Sequence, residues 1–136
     1  RAAREAGAEF ILSPNADADV IRLTRQLGMV SVPGAMTPSE IVAAWNAGAD
    51  IVKLFPADDL GYHYIWNLRG PLPHSPLLAS GGVNPRTIPQ FLAQGVSAVG
   101  TGVSIVDRKL LAAGDYDGIE ALARAHVDAI NSFSAR

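Results

Sequence analysis

The sequence predicts an α/β protein in which parallel strands alternate with helices. Short apolar runs rich in β-branched residues recur at intervals of about 20 to 26 residues, the length of one strand plus one helix. Strands that are apolar throughout and joined by helices are typical of a parallel sheet covered by helices. The five predicted strands lie in residues 9–14, 29–34, 50–56, 76–82 and 98–103.

The helices between these runs carry start and stop signals. Thr37 to Glu40 reads as a capping box, with Thr37 as N-cap, Pro38 at the first helical position and Glu40 reaching back to the cap. Asn84 and Pro85 repeat the N-cap and first-position arrangement. Residues 115–132 form a last helix, with an apolar stripe that includes His126. Four glycines fall where a helix must end before the next strand: Gly7, Gly28, Gly48 and Gly95.

Composition excludes several classes of protein. The chain has 136 residues, 49% hydrophobic and 18% charged, with a formal net charge of -2, which favours one folded domain over residues 1–136. Absence of cysteine removes disulfides, thiolate metal sites and thiol nucleophiles, and favours the cytoplasm. The pI of about 5.8 argues against a nucleic-acid partner, and no apolar run reaches the length of about 20 residues that spans a bilayer. We expect no metal, because the three histidines lie far apart in the sequence.

Two parallel architectures compete at this point. An open doubly wound sheet of five strands fits the length, whereas a closed (β/α)₈ barrel takes at least about 200 residues. The residues at the predicted strand ends favour the barrel.

Lys53 is the first chemical candidate. The chain has only two lysines, Lys53 and Lys109, beside nine arginines, and Lys53 lies in the most apolar predicted strand. Burial disfavours an ammonium ion and lowers the pKa of its amine, which makes the amine available to attack a carbonyl as a Schiff-base nucleophile. The structural alternative is a strand-end lysine that extends its amine to water. The apolar flanks and the scarcity of lysine favour the nucleophile.

Two glycine-containing turns end the last two predicted strands. They are Ser80-Gly81-Gly82 and Gly100-Thr101-Gly102. Glycine lets a backbone approach a ligand closely, consecutive amides attract an anion, and Ser80 or Thr101 can donate a hydroxyl. In barrels a phosphate commonly binds at the loops after the last two strands, so the pair of turns favours phosphate binding over a purely structural role.

At this point the motifs resemble a known family. Val52-Lys53-Leu54-Phe55-Pro56-Ala57, with residues 31–37 before it and residues 79–84 after it, is similar to the class I aldolases of 2-keto-3-deoxy-6-phosphogluconate and 4-hydroxy-2-oxoglutarate. The resemblance implies a (β/α)₈ barrel, a homotrimer, and reversible cleavage of a 2-keto-4-hydroxy acid to pyruvate and an aldehyde. It implies no metal and no cofactor.

The resemblance also implies residue roles. Lys53 matches the Schiff-base lysine, Phe55 the aromatic residue beside the pyruvyl group, and Pro14 the proline that lines the pocket. Ser80, Gly81 and Gly82 stand where the family usually has Thr-Gly-Gly against the pyruvyl carboxylate; the serine keeps the hydroxyl. Gly100, Thr101 and Gly102 stand in the loop associated with the substrate phosphate.

One departure from the family pattern affects the expected activity. The sequence begins at the helix before the family's strand four, so we expect five β/α units, strands four to eight, without the family's first three. Those units supply the glutamate that shuttles protons. The resemblance therefore implies a partial barrel that holds the nucleophile and is weakly active or inactive by itself.

Two other functions remain open from the sequence. In the first, the chain is a non-catalytic binder of phosphate or sugar phosphate, and Lys53 is only a charge partner for the anion. In the second, a barrel with the same glycine loops performs isomerisation or synthase chemistry. Only an imine requires a lysine amine. In the first alternative an arginine could supply the charge, and in the second no imine forms.

Overall fold

The computed structural model describes residues 1–134, and its backbone alternates between strands and helices. The strands are β1 Phe10–Leu12, β2 Val30–Val32, β3 Gly34–Ala35, β4 Val52–Leu54, β5 Leu77–Ser80 and β6 Ala98–Gly100. The helices are α1 Ala2–Glu5, α2 Ala18–Gln26, α3 Pro38–Asn46, α4 Ala57–Leu60, α5 Tyr62–Arg69, α6 Ile88–Ala93, α7 Arg108–Ala113 and α8 Tyr116–Ser134.

All strand pairs are parallel. β1 pairs with β2, and the second sheet has the order β3-β4-β5-β6, so neighbouring strands follow the order of the chain. Because parallel neighbours point the same way, their carboxyl ends meet at one edge of the sheet. The predicted α/β class with parallel strands is confirmed.

The predicted second strand, residues 29–34, is wrong as a single element. It is divided at Pro33 into β2 and β3, which belong to different sheets. Proline has no backbone N–H to donate to a ladder. Its carbonyl still accepts from the backbone N–H of Lys53 at 2.8 Å, and the carbonyl of Ser31 accepts from the N–H of Asp50 at 3.0 Å. These bonds hold the divided segment beside the approach to β4.

The helix starts agree with the sequence in one case and differ in the other. Thr37 and Glu40 form the predicted capping box. The Glu40 carboxylate accepts from the backbone N–H groups of Met36 and Thr37, each at 2.8 Å, and these bonds lower the pKa of Glu40. The prediction that Asn84 caps the next helix is wrong in position, because α6 begins at Ile88.

Asn84 instead organises the turn that precedes α6. Its side-chain oxygen accepts from the backbone N–H of Arg86 at 3.0 Å, and its amide donates to the carbonyl of Gly82 at 3.1 Å. Thr87 donates its hydroxyl to the same Gly82 carbonyl at 2.8 Å. The Asn84 oxygen also accepts from the backbone N–H of Thr87 at 3.3 Å, and the Asn84 carbonyl accepts from that of Ile88 at 3.0 Å, so Asn84 makes the bonds predicted of a cap in the turn before α6.

The predicted helix ends are confirmed at four glycines. Gly7, Gly28, Gly48 and Gly95 have φ values of 93°, 71°, 103° and 82°. A left-handed residue that ends a helix is most often glycine, because it lacks a Cβ.

The core lies between the four-stranded sheet and its helices. All three residues of β4 are buried. Among the largest fully buried side chains are Ile41 of α3, Ile65 of α5 and Phe91 of α6. Packing of these helices against the sheet therefore holds β4 and β5 in place. Within residues 1–134 no helix is both long and apolar enough to cross a membrane.

Candidate active site

One cavity of about 430 Å³ lies at the carboxyl ends of β4, β5 and β6. Seven of the predicted binding residues line it: Phe55, Ser80, Gly81, Gly82, Gly100, Thr101 and Gly102. Four further residues complete the lining: Val83, Asn84, Val103 and Ser104. The pairing of Ser80 with Gly100 across β5 and β6 explains why the two glycine turns meet.

Lys53 lies at the centre of β4 and is only 8% exposed. Its strand neighbours are Gly34 on β3 and Leu78 on β5, neither of which carries a charge. The side-chain nitrogen lies 4.3 Å from the centre of the Phe55 ring, and that ring forms part of the cavity wall. The ammonium therefore lies beside the cavity wall, and little of the residue contacts water.

No carboxylate within residues 1–134 forms an ion pair with Lys53. An aromatic ring face attracts a cation by about 0.5 to 2 kcal/mol, which offsets only part of the loss of hydration. Desolvation accordingly lowers the pKa of Lys53 from its ordinary value of 10.5. A buried amine of this kind loses its proton more readily than a surface lysine and can then act as a nucleophile.

The Ser80-Gly82 turn packs tightly against the start of α4. Gly81 and Gly82 have φ values of 100° and 66°. A Cβ on Gly82 would lie 2.5 Å from the Cβ of Asp58, and one on Gly81 would lie 3.0 Å from the backbone nitrogen of Ala57. Conformation and space therefore both require glycine here, and the backbone amides of this turn lie on the surface of the cavity.

The second turn is held by hydroxyl bonds. Thr101 donates to the carbonyl of Val83 at 3.2 Å, and Ser104 donates to the same carbonyl at 2.8 Å. Gly102 differs from Gly82, because a Cβ there would meet nothing within 4 Å. This turn thus presents two hydroxyls and open backbone to the cavity.

Pro14 does not line this cavity. It follows β1, and its backbone lies so close to Gly34 that a Cβ on that glycine would be 2.2 Å from the Pro14 carbonyl oxygen. Gly34 pairs with Lys53 across β3 and β4. Pro14 therefore lies on the β1 side of Lys53, opposite the glycine turns, and its role beside the substrate stays a prediction.

Ser104 and His126 were not predicted as site residues. Ser104 lines the cavity, and its hydroxyl lies 2.9 Å from Nε2 of His126, which is 4% exposed. The sequence signal for this pair was the position of His126 on the apolar stripe of the last helix, because a buried imidazole needs hydrogen-bond partners. The sequence could not show which residue would supply one.

The fold and the strand-end residues define a parallel α/β protein with a desolvated lysine beside two glycine turns. Comparison with known proteins narrows this class. The sequence model of the KDPG and KHG aldolase family matches residues 1–122. The chain therefore belongs to the KDPG and KHG aldolase family, as the motifs around Lys53 predicted.

Individual relatives agree with this membership. A probable 2-dehydro-3-deoxy-6-phosphogalactonate aldolase of Rhizobium meliloti (strain 1021) is 39% identical over 102 residues, which are 74% of this chain and 48% of that protein. A native KDPGal structure has a TM-score of 0.88 at 28% identity, covering 97% of this chain and 63% of that one.

A third relative is known with pyruvate in place. The KDPG aldolase of Legionella pneumophila, with pyruvate captured at low pH as a covalent carbinolamine intermediate, has a TM-score of 0.80 at 25% identity. That match covers 88% of this chain and 58% of the Legionella chain. The chain spans about half the length of the first two curated relatives that it matches.

Gly82→Ala tests the packing of the first glycine turn. We expect a loss of about 2 to 3 kcal/mol in the free energy of unfolding, because alanine is strained at this φ and its Cβ overlaps Asp58. Gly102→Ala is the matched control and should change stability by less than about 0.5 kcal/mol. Denaturant unfolding of both variants measures the difference, and equal losses would contradict the packing described.

Lys53→Met tests the desolvation of the amine. We expect the variant to be more stable than the parent protein at neutral pH by about 1 to 2 kcal/mol, because methionine fills a similar volume without a charge to desolvate. Between its lowered pKa and 10.5, Lys53 binds fewer protons in the folded than in the unfolded chain. Stability of the parent protein therefore gains with rising pH across that interval, and the advantage of the variant shrinks.

Denaturant unfolding at neutral pH and near pH 10.5 measures both effects. Lys109→Met is the control, because Lys109 is exposed on α7. If Lys53→Met stabilises no more than Lys109→Met, or if its advantage is the same at both pH values, the amine is not desolvated as described.

Proposed function

We propose that this chain forms the nucleophile and anion-binding part of a class I aldolase, which cleaves a 2-keto-4-hydroxy acid to pyruvate and an aldehyde. One observation carries the proposal: within residues 1–134, Lys53 is buried without a carboxylate partner, next to the strand ends where two glycine turns line a cavity. Membership of the KDPG and KHG aldolase family supports it.

The proposed reaction starts at the Lys53 amine. Its nitrogen attacks the carbonyl carbon of the 2-keto acid, and loss of water leaves a protonated imine. The C4 hydroxyl then loses its proton, the C3–C4 bond breaks, and its electron pair moves to the imine nitrogen, which gives an enamine and an aldehyde. Protonation of the enamine at C3 and addition of water release pyruvate and restore the amine. The iminium is the electron sink, so the proposed mechanism uses no metal or cofactor.

The cavity lining supports separate roles at the two ends of the substrate. Phe55 contacts the Lys53 side chain and would pack against the pyruvyl group. The hydroxyl of Ser80 and the backbone of Gly81 and Gly82 would receive the carboxylate. Residues 100–102, with the Thr101 hydroxyl, would receive the phosphate of a phosphorylated substrate.

A 2-keto-3-deoxy-6-phospho sugar acid is the substrate class we propose. The Rhizobium relative bears the name of a phosphogalactonate aldolase, and the family includes enzymes named for phosphogluconate and for 4-hydroxy-2-oxoglutarate. Two anion-attracting turns on one cavity favour a substrate with a carboxylate at one end and a phosphate at the other. We further propose that the strands form part of a (β/α)₈ barrel and that the protein is a cytoplasmic homotrimer.

The proton transfers need a carboxylate or another base near the substrate. Within residues 1–134 no carboxylate pairs with Lys53. The family resemblance assigns the proton shuttle to a glutamate in the family's first three β/α units. Imine formation with pyruvate, in contrast, tests the Lys53 nucleophile even when turnover is slow.

The two other functions have less support. A lysine that served only as a charge partner for a phosphate would gain nothing from burial, whereas Lys53 is buried beside an aromatic ring and forms no ion pair within residues 1–134. Isomerisation or synthase chemistry gives no reason for a desolvated amine within a strand. The family match adds weight to the aldolase.

Incubation with pyruvate and borohydride tests the proposal. Reduction converts an imine to a stable secondary amine even when turnover is slow. We expect a single carboxyethyl adduct, mapped by peptide mass spectrometry to Lys53 and not to Lys109. Lys53→Arg keeps the charge and should form no adduct.

An adduct on Lys109 alone, or none on folded protein, would contradict the assignment of Lys53. An adduct that persists in Lys53→Arg would show that another amine reacts. A Lys53→Arg variant that loses the adduct and keeps its fold would exclude a role for charge alone.

A further inference from the structure

A hydrogen-bonded chain links the last helix to the cavity. His126 on α8 is 4% exposed, and its Nε2 lies 2.9 Å from the Ser104 hydroxyl oxygen. Ser104 lies in turn 2.5 Å from the Thr101 hydroxyl oxygen. Both hydroxyl residues line the cavity. The chain therefore runs from a buried imidazole to the turn that we propose as the phosphate site.

The geometry fixes one of the two imidazole protons. Nδ1 of His126 lies 2.7 Å from the Leu122 carbonyl oxygen, and a carbonyl oxygen only accepts. Nδ1 therefore carries a hydrogen in either charge state. Nε2 is the atom that gains or loses the titrating proton, and it faces Ser104.

The proton on Nε2 sets the direction of the hydrogen bonds between His126, Ser104 and Thr101. When Nε2 is bare, it accepts from Ser104, and the Thr101 hydrogen is donated to the Val83 carbonyl, so no hydroxyl hydrogen is left for a ligand. When Nε2 is protonated, it donates to Ser104, Ser104 donates to the Val83 carbonyl, and the Thr101 hydrogen becomes available to a ligand in the cavity. Each hydroxyl has one hydrogen, so these directions exclude each other.

An anion in the cavity favours the protonated state of His126. The anion needs hydrogen-bond donors, and it is attracted to the positive charge of a protonated imidazole. We propose that His126 is the positioning residue of the anion subsite, and that an anion bound there is accompanied by proton uptake at His126 through the Ser104 and Thr101 hydroxyls. The inference rests on the proposed function only in placing the phosphate at this turn.

Other charges near α8 are directed elsewhere. α6 contains no charged residue, and Asp107 uses its carboxylate to accept from the backbone N–H groups of Lys109 and Leu110. Glu120 pairs with Arg124. The charged residues of α7, of α8 and of the turns before α6 and α8 are exposed: Arg86, Arg108, Lys109, Asp115, Asp117, Glu120, Arg124 and Asp128.

Sulfate is a suitable probe, because it is a divalent oxyanion that does not titrate near neutral pH. NMR of isotope-labelled histidine reports the protonation of each ring nitrogen, and the chain has three histidines, so His126→Phe assigns the resonances. The titration is made at a pH where both charge states of His126 are populated. We expect sulfate to increase the protonated fraction of His126 without changing that of His63 or His74.

Coupling between two sites is reciprocal, so sulfate affinity must also depend on pH. Over the pH range in which sulfate binding takes up one proton, we expect the affinity to fall by up to about tenfold per pH unit. In His126→Phe the affinity should be lower and should not vary over the same range. A purely structural histidine would change stability and leave the pH dependence of binding intact.

Ser104→Ala breaks the chain next to the imidazole, and Thr101→Val breaks it next to the cavity. In either variant we expect sulfate to leave the His126 resonances unchanged. If Ser104→Ala does not fold, Thr101→Val makes the same test with a side chain of the same shape.

Sulfate that binds without changing the His126 resonances would overturn the inference, as would a response that survives both hydroxyl substitutions. Sulfate that does not bind would also overturn it. None of these results affects imine formation at Lys53, because pyruvate carries no phosphate. Failure of this inference is thus distinguishable from failure of the proposed aldolase.

Discussion

The burial of the Lys53 ammonium in an uncharged strand is the constraint on which the rest of the site depends. Lys53 has Gly34 on one side and Leu78 on the other, with the Phe55 ring against its nitrogen. Each neighbour removes water and none returns a full negative charge. The protein thereby gives up stability at one strand position and obtains an amine that is easily deprotonated, which is the form that attacks a carbonyl.

Backbone forms much of the surface around this amine. On the β1 side, Gly34 leaves no room between its own strand and Pro14. On the other side, the Gly81–Gly82 turn lies against Asp58 at the start of α4. Backbone amides held by such contacts cannot rotate away as side chains can, so donors for the anionic substrate that we propose are oriented before it binds. The position of α4 directly after β4 ties this turn to the strand that carries the lysine.

The sequence predicted what depends on local pattern and missed what depends on distant partners. Apolar runs and glycines located the strands and the helix ends, and the Thr37 capping box was predicted correctly because its bonds join residues three positions apart. Two local features were missed: the division at Pro33, which has no backbone N–H to donate, and the start of α6 at Ile88, after a turn that the Asn84 and Thr87 side chains hold. The spacing of apolar residues does not show either feature.

The candidate site shows the same limit. The two glycine turns and Phe55 were predicted from strand ends, because parallel neighbours bring those ends together. The bond between Ser104 and His126 joins residues 22 positions apart in sequence and depends on how α8 docks. The spacing of apolar residues in the sequence does not predict how α8 docks.

Direct titration of Lys53 tests the central claim. The chain has two lysines, so NMR of isotope-labelled lysine gives two side-chain signals, and the spectrum of Lys53→Met assigns them. We expect the Lys53 amine to titrate with a pKa below 10.5, because the folded protein desolvates its charged form. A pKa at or above 10.5 would mean that the ammonium is stabilised where it lies, and Lys53 would then not be the poised nucleophile described above.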